Sequence, residues 1–386
     1  MEFSLLHGSL ILLTALSALL TLWQWLAAFE FPLHRREKNT SFSPPVTLLK
    51  PLKGADAETK ACLRGWLEQD YAGAVQVLFG VASPQDPVCE IVRELIAEFP
   101  KSDAQLVLCE EQLGPNAKVS TLIHLERLAK HELVIVSDAD VRVPNDYLAN
   151  AIQPLADPKV GLVNSFYKFA NPSTYPMHWE AVAVNADFWS QVLQSQKLKP
   201  IDFALGAAMI IRRETLNATG GFERLVHYLA DDYQLGNGIA KAGKQIVISP
   251  IVVECWEAPK NFSQIWQHQL RWARTIRVCQ PVPFFFSILG NATIWPFLWT
   301  IYLALKTGGD LKVMFLPVLI FWPIRMFIAL NLQEKLTGSL LHYRYFWLIP
   351  IKDLLGFAIW LLSFFGNKVE WRGQTFRVQR GGELEP

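Results

Sequence analysis

Cysteine is scarce and wrongly spaced for a disulfide framework or a zinc site. The five cysteines, Cys62, Cys89, Cys109, Cys255 and Cys279, are odd in number and form no Cys-x-x-Cys pair, a usage that fits a reducing cytosol. Neither sign of charge is in excess. With a formal net charge of +1 and scattered Lys and Arg, the chain offers no basic surface to nucleic acid, and no nucleic-acid partner is expected. There is no Gly-x-Gly-x-x-Gly, no Walker loop and no fixed-period repeat, which disfavours a dinucleotide-binding fold and a P-loop enzyme.

Apolar sequence, by contrast, is abundant. Of 386 residues 51% are hydrophobic, enough to bury a full domain and leave apolar stretches over, and the surplus lies at the two ends. Residues 5–29 are almost uncharged, and about 25 residues at ~1.5 Å each exceed a hydrocarbon core of roughly 30 Å. A cleaved signal peptide is the competing reading, but the start carries Glu2 and no Lys or Arg, and the run is too long. An uncleaved signal anchor is expected. His34-Arg35-Arg36-Glu37-Lys38 follows it, and the positive-inside rule puts what comes next in the cytoplasm.

The C-terminal end holds segments 282–305, 313–332 and 345–365. Arg325 in the second must snorkel or face protein. The third contains Pro350 and Lys352-Asp353; a full crossing there would leave Lys368, Arg372, Arg377 and Arg380 outside, against the charge rule, so a re-entrant or interfacial segment is expected. An ionisable pair near a helix middle also marks functional grooves. The expected division is an anchor and basic linker at 1–41, a cytoplasmic domain at 42–280, and a membrane region with a basic tail at 281–386.

Within 42–280, short apolar runs at 46–49, 75–81, 105–108, 133–136 and 160–163 alternate with amphipathic stretches at 58–68, 87–99, 118–130 and 145–152. This alternation predicts an α/β domain. The run ending at Val136 delivers Ser137-Asp138-Ala139-Asp140 to a strand end, where ligands of open α/β sheets sit. Asp138 and Asp140, two apart on an extended segment, share a face and can jointly offer oxygens to a hard divalent cation; a solvated turn is the alternative.

Other candidates follow in order. Lys50 and Lys53, before Gly54, offer ammonium groups to an anion, or make an ordinary basic loop. Asp86, before Pro87, accepts hydrogen bonds from a base or ribose, or starts a helix. Gly206-Ala207-Ala208 lets a ligand approach the backbone, or packs tightly. Ala230-Asp231-Asp232-Tyr233 opens a helix on which one Asp caps and the other projects into a cleft, or both cap. In Gln267-His268-Gln269-Leu270-Arg271-Trp272, a helix puts Arg271 and Arg274 on neighbouring turns, able to meet phosphate while Trp272 lies on apolar surface; a juxtamembrane helix drawn to anionic lipid is the competing reading.

As an ordered set, Leu48-Leu-Lys-Pro-Leu-Lys-Gly54, Asp86-Pro87, Ser137-Asp-Ala-Asp140, Ala230-Asp-Asp-Tyr233 and Arg271-Trp272 resemble the ceramide glucosyltransferase family, including bacterial relatives that act on hopanoids. The resemblance implies a GT-A fold, a Rossmann-like nucleotide-sugar-binding α/β domain, with N- and C-terminal transmembrane helices. It implies an integral protein of a bacterial inner membrane, its catalytic domain facing the cytoplasm. It also implies a UDP-sugar donor (UDP-glucose or UDP-N-acetylglucosamine), a divalent metal (Mg²⁺ or Mn²⁺) and a membrane lipid acceptor, ceramide or hopanoid, receiving one sugar with inversion. Carried over by position, Asp232 is the catalytic base and Asp138 and Asp140 serve the metal. Lys53, Asp86, Asp138, His268, Arg271 and Trp272 bind the nucleotide sugar. His268 departs from the Gln found in processive synthases, which argues against a polymerase. A processive polysaccharide synthase and a non-catalytic membrane adaptor binding lipid or nucleotide are the alternative functions.

Overall fold

The computed structural model describes residues 5–308, 310–371 and 374–385; Glu2 and Arg372, used in the topology argument above, lie outside them. The chain forms two compact units, each assembled from separated stretches. One comprises Pro32–Asn171, Lys199–Ala258 and Gly382–Pro386; the other comprises Met1–Phe31, Pro172–Leu198 and Pro259–Gly381. Their limits cut across the linear division at residues 41 and 280.

The first unit is built on a sheet of β1 (Val46–Leu52), β2 (Val75–Val81), β3 (Asp103–Leu108), β4 (Leu133–Ser137), β5 (Val141–Arg142), β6 (Val160–Phe169), β7 (Ala208–Arg212) and β8 (Gln245–Cys255). Their order is β3-β2-β1-β4-β7-β6-β8-β5. The first four strands run parallel, and β7 is antiparallel to both β4 and β6. Central β1 and β4 are buried along their whole length, which is why they read as continuous Leu, Val and Ile rather than as an alternation. The apolar runs seen in the sequence fall in β1 to β4 and β6.

Lys50 interrupts the apolar run of β1, and its ammonium is fully buried. It donates to Ser137 Oγ at 3.0 Å, to the Val141 carbonyl at 3.3 Å and to the Asp138 carbonyl, above the Trp66 ring. Burial pushes its pKa down to about 8. Lys50 is therefore spent inside the fold, tying β1 to the β4–β5 turn, and is not the surface anion contact its sequence neighbourhood suggested. Lys53, past the strand end, is exposed.

The second unit is helical. Its first helix, Leu5–Glu30, buries His7, Leu10, Thr14, Ser17, Thr21, Gln24 and Ala28, a stripe spaced by threes and fours. Small and polar residues on one face let apolar helices pack closely in a medium where hydrophobicity cannot drive them together. Gln24 donates to Ser190 Oγ at 2.7 Å, and Trp25 donates to Asn331 Oδ1 at 2.6 Å. Leu5–Glu30 and Leu311–Thr337 are long and apolar enough to cross a membrane; Pro281–Gly290 and Ile294–Lys306, meeting at 54°, make a third span if taken together. The helix Leu348–Ser363 has 16 residues, short of the roughly 20 needed for a crossing.

Arg325 faces protein. Its guanidinium bonds Asp187 at 2.8 Å and Asp353 at 2.8 Å, while Lys352 contacts the same two carboxylates and Thr293 donates to Asp353 at 2.6 Å. Two acids and two bases thus balance in a buried cluster whose members come from the 316–337 helix, the 348–363 helix and a π-helical turn at Ala183–Phe188.

Candidate active site

The sheet unit gathers the acids. Asp138 and Asp140 leave the end of β4, in a turn held by Asp138 N–H to the Ala207 carbonyl at 3.2 Å and Val141 N–H to the Asp138 carbonyl at 3.2 Å. Asp231 and Asp232 occupy the first turn of the helix Asp231–Lys241, where carboxylates complement the positive helix end. Between the two pairs stands Lys118, a residue that the sequence reading did not single out. Its buried ammonium lies 2.7 Å from Asp138 Oδ1 and 3.3 Å from Asp231 Oδ2. Burial pulls its pKa down, but the two carboxylates outweigh burial and hold it above the ordinary lysine value.

The position of Lys118 follows from its helix start. Asn116 caps the helix Ala117–Glu126 by accepting from Val119 N–H at 3.0 Å, and its own amide donates to the Tyr228 carbonyl at 2.7 Å. One side chain thus fixes the first turn carrying Lys118 to the segment that leads into Asp231.

Asp232 Oδ1 accepts from Tyr233 N–H at 2.7 Å. Its other oxygen packs against Gly206, where a Cβ would sit 2.8 Å from Oδ2. Burial first, then the Asp231 charge, push the Asp232 carboxyl up to about 6. Asp140 is likewise raised to about 6, by burial and then by Asp138 and Glu257. This crowding of negative charge is what a divalent cation relieves. Among the described residues no three or more His, Cys, Asp or Glu side chains form a cage for a metal ion. Mg²⁺ and Mn²⁺ do not need one: hard cations are commonly held by one or two carboxylates together with substrate phosphates and water, and Asp138 with Asp140 fits that donor set.

Asp86 holds the loop after β1. Both carboxylate oxygens accept from Gly54 N–H, at 3.0 and 2.9 Å, and Oδ1 accepts from Val88 N–H at 3.0 Å. The helix-start role is therefore filled; Oδ1 accepts two bonds, and Oδ2, accepting one, keeps a lone pair for a further donor.

His268, Arg271 and Trp272 belong to the helical unit, on the helix Phe262–Cys279, which opens with a reciprocal Asn261–Gln264 capping box. His268 Nδ1 lies 2.6 Å from Glu180 Oε1, and Gln269 donates to the same oxygen at 2.8 Å. Glu180, 1% exposed, was not legible as a site residue, although a lone acid in the apolar stretch from Met177 to Val184 is a usable signal. Trp272 packs its ring near those of His268 and Phe188. Arg274, expected beside Arg271 on the neighbouring turn, has its guanidinium engaged elsewhere. It donates to the Lys368 and Phe365 carbonyls, and Arg277 to Asn367 Oδ1 and the Gly366 carbonyl, so both guanidiniums are engaged by the segment after the last helix.

Residues 9–384 match glycosyl transferase family 21. Ceramide glucosyltransferase 3 of Caenorhabditis elegans is 23% identical over 364 residues, covering 92% of this chain and 78% of the relative. Ceramide glucosyltransferase 1 of the same organism is 20% identical over 355 residues, covering 92% and 76%. A mannosyltransferase from Pyrobaculum calidifontis, solved with GDP-Man and Mn²⁺, matches with a TM-score of 0.56 at 23% identity, covering 91% of this chain and 99% of that one. That likeness is one of fold, GT-A. The chain belongs to glycosyl transferase family 21, and it is a membrane-associated hexosyltransferase of GT-A fold.

Proposed function

We propose that this enzyme moves a single glucose or N-acetylglucosamine from a UDP-sugar to the hydroxyl of a membrane lipid, ceramide or a hopanoid, with inversion at the anomeric carbon. The observation that supports it most is the separation of carboxylates into two groups, Asp138 and Asp140 at a strand end and Asp232 on a helix start, with Lys118 tied to the first group and to Asp231. Metal and base roles need different carboxylates, because an acid neutralised by a cation is a poor proton acceptor. In this reading Asp138 and Asp140 hold Mg²⁺ or Mn²⁺, which when bound supplies charge neutralisation to the leaving diphosphate. Lys53, Asp86, His268, Arg271 and Trp272 serve donor binding. Asp232 takes the acceptor's hydroxyl proton as that oxygen bonds the anomeric carbon, while the bond to the UDP oxygen breaks and its electron pair leaves with UDP.

The lipid acceptor is supported by the names of the relatives and by the apolar helices. The basic run His34-Arg35-Arg36 after the first helix supports a catalytic stretch, 42–280, on the cytoplasmic face of a bacterial inner membrane. Mass spectrometry of lipids after incubation of reconstituted protein with ceramide or hopanoid polyol and each UDP-sugar, with Mn²⁺ and with EDTA, tests the reading. One added hexose or N-acetylhexosamine, only with metal, is expected; a polydisperse sugar ladder, or no lipid adduct with any pair, sinks it.

Gly206→Ala probes the base directly. The added methyl would stand 2.8 Å from Asp232 Oδ2, 3.3 Å from its Cγ and 3.4 Å from its Cβ, so the carboxylate has to shift, and the unfolding midpoint reports whether the fold accommodates the change. A displacement of that kind costs on the order of 10–100-fold in rate. The expected result is a fall in kcat with the KM for donor and the unfolding midpoint near wild type; an unchanged kcat counts against Asp232 as base.

A further inference from the structure

A cavity of about 550 Å³ in the sheet unit is lined in part by Arg36, Arg64, Arg142, Lys168, Glu254 and Trp256, and none of the acids of the candidate active site lines it. That volume suits a small ligand or a head group. Its cations differ in how they are engaged. Lys168 lies 3.1 Å from Glu254, Arg64 contacts Glu68 and Glu98, and Arg36 contacts Asp146. Arg142 is the exception: its side chain is exposed, no carboxylate among the described residues pairs with it, and its guanidinium stands 5.4 Å from the centre of the Trp256 ring. The ring is itself fixed, because its indole N–H donates to Glu254 Oε2 at 2.8 Å.

A guanidinium placed over an indole ring keeps its N–H groups available to a further acceptor, and a guanidinium suits bidentate contact with phosphate. The surrounding pairs are partly exposed and weak, so they can give up a carboxylate oxygen for a phosphate oxygen at little cost. A second sign lies at the rim. His34, one of the lining residues, adopts φ 63°, the sole non-glycine among the described residues with positive φ, and its N–H donates to the Pro250 carbonyl at 2.7 Å. Backbone held in that region gathers where ligands are clamped.

We propose that this cavity binds a phosphate-bearing anion, with Arg142 as the principal contact. Two sources share the chemistry: the head group of an anionic phospholipid and free phosphate. His34 and Arg36 belong to the basic segment that follows the first apolar helix in the chain, and basic clusters beside a span attract anionic head groups. Occupancy also bears on the acids, since Arg142 follows Asp140 closely on β5 and Trp256 N–H donates to the Asp140 carbonyl at 3.0 Å. The proposal does not depend on which sugar or acceptor the enzyme uses.

Hydrogen exchange of the full-length protein tests it without an activity readout. In one arm, inorganic phosphate is titrated onto protein in phosphatidylcholine nanodiscs; in the other, nanodiscs containing phosphatidylglycerol replace them at no added phosphate. Slower exchange across 141–146 and 252–257 is expected in at least one arm. In the phosphate arm it should reach about tenfold at ten times the half-saturating concentration, as mass action requires. Protection in the phosphate arm alone identifies a soluble ligand, and protection in the lipid arm alone identifies a head group. Arg142→Ala should raise half-saturation by about 10–100-fold, or abolish lipid protection, with exchange across 46–52 unchanged as the control for folding. No protection in either arm, or equal protection in Arg142→Ala and Lys168→Ala, overturns the proposal.

Discussion

Asp232→Asn is expected to lower turnover by about two to four orders of magnitude, the usual contribution of a positioned general base, while donor affinity stays near wild type. The amide keeps the size and the bond from Tyr233 N–H but cannot take a proton. The pH dependence sharpens the test. A carboxyl raised to about 6 by burial and by Asp231 is a stronger base than an ordinary aspartate and is still ionised at neutral pH. Only the ionised form accepts a proton, so the rate of the native enzyme should fall as pH drops through about 6 and level off above it. Asp140 is raised to the same range, so the profile is taken at saturating Mn²⁺, which favours its ionised form; under that condition the limb should vanish from the residual activity of Asp232→Asn. A variant with full turnover, or with the limb intact, removes Asp232 from the role.

Arg325→Leu should destabilise the protein by about 3–5 kcal/mol, the penalty for leaving a buried charge without its partner. In the native cluster Arg325 and Lys352 balance Asp187 and Asp353; without Arg325, one negative charge is in excess inside the helical unit. Denaturant unfolding of reconstituted protein measures the loss. Arg325→Leu combined with Asp353→Asn restores the charge balance, with Lys352 facing Asp187, and should recover part of it as a coupling energy in the double-mutant cycle. If the single variant unfolds with the native midpoint, the cluster contributes no stability.

What the sequence disclosed depended on whether the signal was local. The buried strands β1, β2 and β4 announce themselves as apolar runs, and the Asp-x-Asp at the end of β4 is placed by its strand. β8 left no such mark, because Pro250 breaks its pattern; the strand tolerates it where the register with β6 slips between Ser165 and Tyr167. Lys118 was hidden for a different reason. It sits among residues that read as an ordinary amphipathic helix, and its partners Asp138 and Asp231 come from distant parts of the chain. Glu180 and its bond to His268 share that long-range character. Lys50 was visible but misread: a lysine at a strand end suggests an anion contact, and only the three-dimensional fold reveals that Ser137 and two carbonyls already claim it.

The stripe on the first helix has a consequence during biosynthesis. Gln24 and Trp25 find their partners at Ser190 and Asn331, so the helix leaves the ribosome long before the residues that satisfy it exist. At roughly 5–20 residues per second, the wait for Asn331 lasts on the order of 15–60 s. Ser17 and Thr21 donate to the Thr14 and Ser17 carbonyls of their own helix and need no later neighbour, so throughout that interval it is the Gln24 amide and the Trp25 indole N–H that must find water or another polar partner in place of the residues not yet synthesised.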